Sequence, residues 1–154
     1  MLRAHVEFDI MLPLFELRWC TRGVLEGLTK LYSPRSLHVV APGTTARALA
    51  KAAENWDIAP LTVHEEETYF QGELTRDRII NETIWGKDTL YKPGWIYQQI
   101  LKLGAAEAIP ELSDWYLVWD SDMLPVDSWP ILRAKKVSIP YYTCFASKMK
   151  LPFI

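Results

Sequence analysis

A chain of 154 residues has room for one hydrophobic core, and 49% hydrophobic residues with a mean hydropathy of -0.04 describe a globular domain, not a disordered or membrane-spanning one. A formal net charge of -2 supplies no basic field for a nucleic-acid backbone and argues against nucleic acid as a partner. The cysteines, Cys20 and Cys144, fall in segments that read as regular structure, so no disulfide framework is expected, and Glu7, Asp9 and Pro13 interrupt the apolar N-terminus too early for a signal peptide or a membrane span.

From Val6 to Leu14 apolar residues alternate, with Val6, Phe8, Ile10, Leu12 and Leu14 on one face and Glu7 and Asp9 on the other, which predicts a strand stopped near Pro13. Leu17, Cys20, Val24, Leu28 and Leu31 then recur at helical spacing until Ser33-Pro34, predicting a helix of about four turns. The short run Leu37 to Ala41 predicts a second strand. After Pro42-Gly43 a second helix is expected, with Thr44 or Thr45 as its cap and Ala46, Leu49, Ala50 and Ala53 inward. Leu61-Thr62-Val63 reads as a third strand running into Glu65-Glu66-Glu67, and the polar stretch to Lys92 as loop with one helical piece. His64 beside these glutamates matches no zinc-binding spacing and reads as part of a solvated acidic loop; His5 and His38 read as structural histidines. Asn81-Glu82-Thr83 matches the N-glycosylation triplet, a pattern that chance often produces.

Pro93-Gly94 opens another helical pattern, with Ile96, Ile100, Leu103 and Ala108 inward and Pro110 at its end. Trp115 to Trp119 is an uninterrupted apolar run of strand length, the mark of a strand buried on both faces, with Asp120 at its carboxyl end. Lys135-Lys136 reads as a turn or exposed edge between two short strands, Ile131 to Ala134 and Val137 to Tyr142. Strands alternating with helices of this length predict a single domain over residues 1–154: α/β, a three-layer α/β/α sandwich with a mainly parallel sheet, whose ligands bind outside the carboxyl ends of the strands.

A bare Asp-x-Asp is weak evidence, but Asp120-Ser121-Asp122 follows a buried strand directly, so a rigid element carries two carboxylates to the ligand edge of the sheet. Hard oxygen ligands there suit magnesium or manganese, whose remaining positions substrate phosphates and water fill. The alternative is a strand end whose acids bind only water and backbone amides.

WYLVWDSDMLPV, preceded by KPGWIYQQILKL, resembles a largely uncharacterised group of GT-A-type glycosyltransferases in which a Gly-Trp-x-x-Gln-Gln-x-x-Lys helix leads into a strand and an Asp-x-Asp. FDIMLPLFE and SLHVVAP resemble that group's first two strands, so the likeness runs from about Val6 to Val126. The resemblance implies a GT-A fold, a nucleotide-diphosphate-sugar donor, an acceptor hydroxyl, and Mn2+ or Mg2+ at Asp120 and Asp122. It implies Asp122 as the direct metal ligand and Asp120 nearer the sugar or ribose. Gln98, Gln99 and Lys102 offer donors to phosphate or sugar oxygens if their face borders the cleft, and are surface groups otherwise. Trp95 either lines the sugar pocket or packs in the core, and by analogy Pro13 and Leu14 seat the base. The metal would act as a Lewis acid on the departing diphosphate.

That group gains a further metal ligand, often a His, from its later half, whereas this sequence has no His after His64; an incomplete C-terminus is therefore expected. A cytoplasmic location is the default, and the Golgi lumen the expectation if an N-terminal anchor is missing. The rival readings are a non-catalytic or remnant donor-binding domain and a haloacid-dehalogenase-like phosphatase. The phosphatase motif wants Thr or Val where Leu124 stands and usually opens its domain. A nucleotidyltransferase would need a Gly-rich loop where Pro13 and Phe15 stand.

Overall fold

The structure, a computed structural model, describes residues 7–82 and 93–128, together with the backbone alone of 132–133, 136–137 and 145–147. Its central strand, β1 (Asp9–Pro13), is buried along its whole length. β2 (Leu37–Ala41) pairs parallel to one side of it and β4 (Trp115–Val118) parallel to the other, while β3 (Leu61–Glu65) lies parallel beyond β2. The sheet order is β3-β2-β1-β4-β7, in which β7 (Phe145–Ser147) runs antiparallel to β4 and was not expected from the sequence. β5 (Leu132–Arg133) and β6 (Lys136–Val137) form a separate antiparallel pair. The expected extensions to Ile131, Ala134 and Tyr142 lie outside the described residues, as do His5, Cys144 and Thr83.

Two-residue alternation sends side chains of one strand to opposite faces, and here both faces are covered. Ile10, Leu12, Leu37, Val39 and Leu117 meet α1 (Thr21–Tyr32) and α2 (Gly43–Ala53) through Val24, Leu25, Leu28 and Leu49. Met11, Val40 and Tyr116 meet α4 (Pro93–Leu103) and α5 (Ala105–Ala108) through Tyr97, Leu101 and Ala105. The expected three-layer α/β sandwich with a mainly parallel sheet is therefore the fold, and α3 (Arg76–Glu82) is the helical piece expected in the polar stretch.

Several local expectations fail for identifiable reasons. Asp9 lies on the face opposite Ile10 as expected, but its carboxylate is fully buried; it accepts from Arg35 Nε at 2.9 Å and Nη2 at 2.5 Å, and from the Ser113 amide at 2.7 Å. The first helix begins at Thr21, not near Leu17, because Thr21 Oγ1 accepts the Arg18 amide and closes a turn there; Leu17 is left partly exposed. Neither Thr44 nor Thr45 caps α2. The Gly43 amide is instead taken by the Glu67 carboxylate at 3.0 and 3.1 Å, a negative charge at the positive end of the helix. Ala50 is exposed. In α4 the inward face is Tyr97 and Leu101, one residue round from the expected Ile96 and Ile100, and Leu103 is 81% exposed. Tyr97 can be fully buried because its hydroxyl donates to the Glu66 carbonyl at 3.2 Å. Gly104 separates α4 from α5, and a Cβ there would come within 2.4 Å of the Phe70 ring.

The buried titratable groups make stability sensitive to acid. Burial holds His38 and His64 below the ordinary imidazole value of 6.5, with the neighbouring His38 lowering His64 further. Burial by itself would raise the Asp9 carboxyl, but hydrogen bonds from Arg35 and Ser113 outweigh it and hold the group below 3.8. In each case the unfolded chain binds protons at a higher pH than the folded one, so stability is greatest above the unfolded value and declines on acidification. Urea midpoints should be flat above neutrality, fall as pH drops through 6.5 and fall again below 3.8. A midpoint that rises between pH 7 and 5 would contradict the neutral, buried histidines.

Candidate functional site

The chain steps from β1 to β2 to β3 in one direction and then returns to place β4 on the opposite side of β1. The helices that follow β1 and β2 occupy one face and α4 the other, so no crossover covers the gap between the carboxyl ends of β1 and β4. Such a switch point is where a doubly wound sheet leaves its ligand crevice. Pro13 ends β1 at this gap, and Asp120 and Asp122 follow β4 across it.

The turn bearing the two aspartates is held from several sides. The Trp119 amide donates to Met11 O at 2.9 Å, continuing the β1 ladder past β4, and Trp119 Nε1 donates to Met123 O at 2.6 Å. The Met123 amide donates to Asp120 O at 3.0 Å. The next residues lie across α1 where Gly23 and Gly27 stand one turn apart. A Cβ at Gly27 would meet the Pro125 ring at 2.8 Å, and one at Gly23 would meet Leu124 at 3.2 Å. Two small residues on one helix face let the turn approach closely enough to fix its depth.

At the gap is a cavity of about 530 Å³, lined among others by Pro13, Leu14, Trp95, Gln98 and Asp122, and a pocket of about 320 Å³ lined by Trp95, Gln98, Gln99, Lys102, Asp120 and Asp122. Both volumes are in the range of small-molecule sites. The residues expected from the sequence at a donor site, Pro13, Leu14, Trp95, Gln98, Gln99, Lys102, Asp120 and Asp122, thus line these two adjoining spaces. Trp95, Gln98, Gln99 and Lys102 share one face of α4 by their spacing, and that face borders the cleft because Tyr97 and Leu101 take the core. Lys102 is no solvated helix residue. Its side chain is 14% exposed and its Nζ lies 2.5 Å from Asp120 Oδ1, toward which Gln98 Nε2 also points at 3.5 Å. Trp95 is half-exposed at the mouth, so it lines the cavity without being a core residue. The Asp-x-Asp follows the fourth strand of the chain and not its first.

Further residues at the cleft were not anticipated, among them Phe15, Arg18, Glu66 and Arg76. Glu66 is buried, with Arg76 donating to it through Nε at 2.9 Å and Nη2 at 3.0 Å. The Arg76 guanidinium also stacks 4.4 Å over the Phe15 ring and 5.4 Å from that of Tyr97, joining the loop after β1 to α4. The acidic run after β3 is therefore not the solvated loop expected: Glu66 pairs at the cleft and Glu67 caps α2. Arg18 lines the same cavity and, among the described residues, its side chain makes only an exposed pair with Glu16 at 3.2 Å. No periodicity marks these residues in the sequence, since Glu66 and Arg76 meet only through the irregular segment between β3 and α3.

A cavity carrying carboxylates and arginines therefore lies at the switch point of a mainly parallel sheet in this α/β domain. The chain belongs to a family of unknown function, DUF6492, whose model matches residues 22–131. No curated protein matches it. Among solved structures it is similar to the apo form of mouse xyloside xylosyltransferase 1, with 17% identity and a TM-score of 0.48 over 76% of this chain and 44% of that one. The chain thus spans less than half the length of that protein. Among the described residues, no helix is long and apolar enough to cross a membrane.

The two arginines should respond differently to removal. Arg76→Leu leaves the Glu66 carboxylate buried without its partner and is expected to cost about 3 kcal/mol of stability. Arg18→Ala, which breaks an exposed pair, should stay within about 0.5 kcal/mol. Urea unfolding of the two variants and the parent checks both.

Proposed function

We propose that this domain binds a nucleotide-diphosphate sugar in the cleft through a divalent cation and transfers the sugar to an acceptor hydroxyl, as a GT-A-type glycosyltransferase does. The observation that carries the reading is the meeting, at the β1/β4 switch point, of Asp120 and Asp122 with the Trp95, Gln98, Gln99 and Lys102 face of α4. The motif resemblance, carried by the same residues, agrees with it.

The residues present suit a hard cation. Asp122 is exposed, borders both cavities and, among the described residues, has no ion-pair partner. Lys102 engages Oδ1 of Asp120 and thereby weakens that carboxylate as a ligand. Asp122 would therefore be the principal protein ligand and Oδ2 of Asp120 a secondary one, an oxygen set that fits Mn2+ or Mg2+. Bound there, the ion supplies Lewis-acid neutralisation of the charge that grows on the departing diphosphate. The protein's own groups do the orienting. Pro13 and Leu14 offer a flat apolar floor for a base at the end of β1, and Trp95 offers an aromatic wall beside the polar groups of α4. Arg18, whose exposed pair is worth little, is free in energetic terms to turn toward a phosphate. Lys102 holds Asp120 in a fixed rotamer, so that its outer oxygen can accept from a sugar or ribose hydroxyl.

A panel of nucleoside diphosphates should bind at least about tenfold more tightly with Mn2+ than with a chelator, a difference of about 1.4 kcal/mol. Asp122→Ala should remove that difference. Asp114→Ala should keep it, because Asp114 precedes β4 at the opposite end of the strand. Calorimetry on the folded variants decides the matter, and equal affinity with and without metal in the parent would end the metal-bridged reading. Release of nucleoside diphosphate from a sugar donor separates a transferase from a domain that only holds its donor.

A further inference from the structure

We propose that His38, His64 and Glu111 form a second metal site, for a zinc-class transition-metal ion, on the α4 side of the sheet and apart from the cleft. One potential ligand atom from each of the three lies within 4.8 Å of the others, and none of the three lines the cavities at the switch point. His38 stands opposite Thr62, and Val40 opposite His64, so the two imidazoles occupy diagonal positions on one face of the β2–β3 pair. Their rings stack at 18° with centroids 5.4 Å apart, and His38 Nδ1 lies 3.1 Å from His64 Nε2. Two nitrogens at about 2.05 Å from a tetrahedral zinc ion are about 3.3 Å apart, so small ring rotations would bring both onto one ion.

The outward nitrogen of His38 is the second observation. Among the described residues Nε2 is buried without a hydrogen-bond partner, and Asp9 Oδ2 lies 3.6 Å from it. A proton on Nε2 faces that carboxylate favourably, whereas a lone pair there would face it unfavourably. The carboxylate therefore selects the tautomer whose Nδ1 lone pair points at His64. A carboxylate behind a histidine, fixing its tautomer and turning its other nitrogen to a metal, is the usual support of an imidazole ligand. Asp9 is itself immobilised by Arg35 and Ser113. Arg35 Nη2 also donates to the Glu111 carbonyl at 2.6 Å, so one guanidinium positions both the supporting carboxylate and the segment carrying the third ligand. Burial keeps both imidazoles in the neutral form that ligates.

In the free protein the proton of His64 Nε2 occupies the place of the metal, and binding asks His64 to carry it on its other nitrogen. Glu111 is exposed, which puts the way in at its side. Two imidazoles and one carboxylate suit zinc and disfavour the hard cations that the oxygen-only set of Asp120 and Asp122 accepts. Three protein ligands leave a fourth position for water. The ion would tie β2, β3 and the segment leading into β4 together.

The test uses the whole chain, stripped with a chelator and titrated with Co2+ as a spectroscopic probe, then with Zn2+. The expected result is one equivalent of cobalt with a tetrahedral visible spectrum, displaced by zinc and not by excess Mg2+, and a higher Tm in zinc. His64→Ala should weaken uptake on the order of 100-fold or more, and Glu111→Gln, an exposed position that leaves the fold intact, on the order of tenfold. Should His64→Ala fail to fold, Glu111→Gln decides alone. The proposal is overturned if the folded parent takes up no stoichiometric cobalt, if Glu111→Gln binds as the parent does, or if uptake disappears in Asp122→Ala.

Discussion

β1 is walled by helices on both faces and by parallel strands on both edges, and the rest of the molecule is arranged around that confinement. A strand so placed can carry almost nothing polar along its length, and the order of its neighbours is forced to reverse across it. The reversal leaves the space at its carboxyl end. The exception to its apolar character, Asp9, is matched by Arg35 from the segment before β2 and by Ser113 from the approach to β4. These contacts join at one point the same three strands that open the cleft at the other end.

Paired charges recur at each place where the fold brings irregular segments together. Arg35 with Asp9, Arg76 with Glu66 and Lys102 with Asp120 each link segments distant in the sequence. Each has one well-buried partner; such pairs contribute little net stability compared with apolar packing, yet stripping the buried charge of its partner is costly. They act as locks on geometry. Two of the three border the cleft, so its walls are held by interactions that tolerate little rearrangement, while the exposed Arg18 and Asp122 remain available to a ligand.

The two metal sites proposed differ in kind because their surroundings do. Oxygen ligands at an open strand end suit an ion that exchanges readily and shares its shell with phosphates. Imidazoles against the sheet suit an ion held by the protein itself. The sheet separates the two sets of polar groups into a carboxyl-end cluster and one nearer the amino ends of β1 and β4, so the two proposed sites would not share ligands.

The layered architecture was legible in the sequence because burial imposes a period. Leu37 to Ala41 is a short run closed by Pro42-Gly43, Trp115 to Trp119 carries the continuous apolar signature of a strand covered on both faces, and the Asp-x-Asp stands out because it follows the latter. Its companions on α4 were also visible, since Trp95, Gln98, Gln99 and Lys102 share a helix face whatever that face meets. Which face turned to the core was not decided by hydrophobicity, because Tyr97 outcompeted Ile96 and Ile100 only through a hydroxyl partner on a distant loop. The partners of Asp9, Glu66 and Glu67, and the meeting of His38 with His64 and Glu111, were decided by tertiary structure alone. Local spacing carries no record of such contacts: a charge that will be neutralised from 26 residues away, as Asp9 is by Arg35, looks in the sequence like one that will face water.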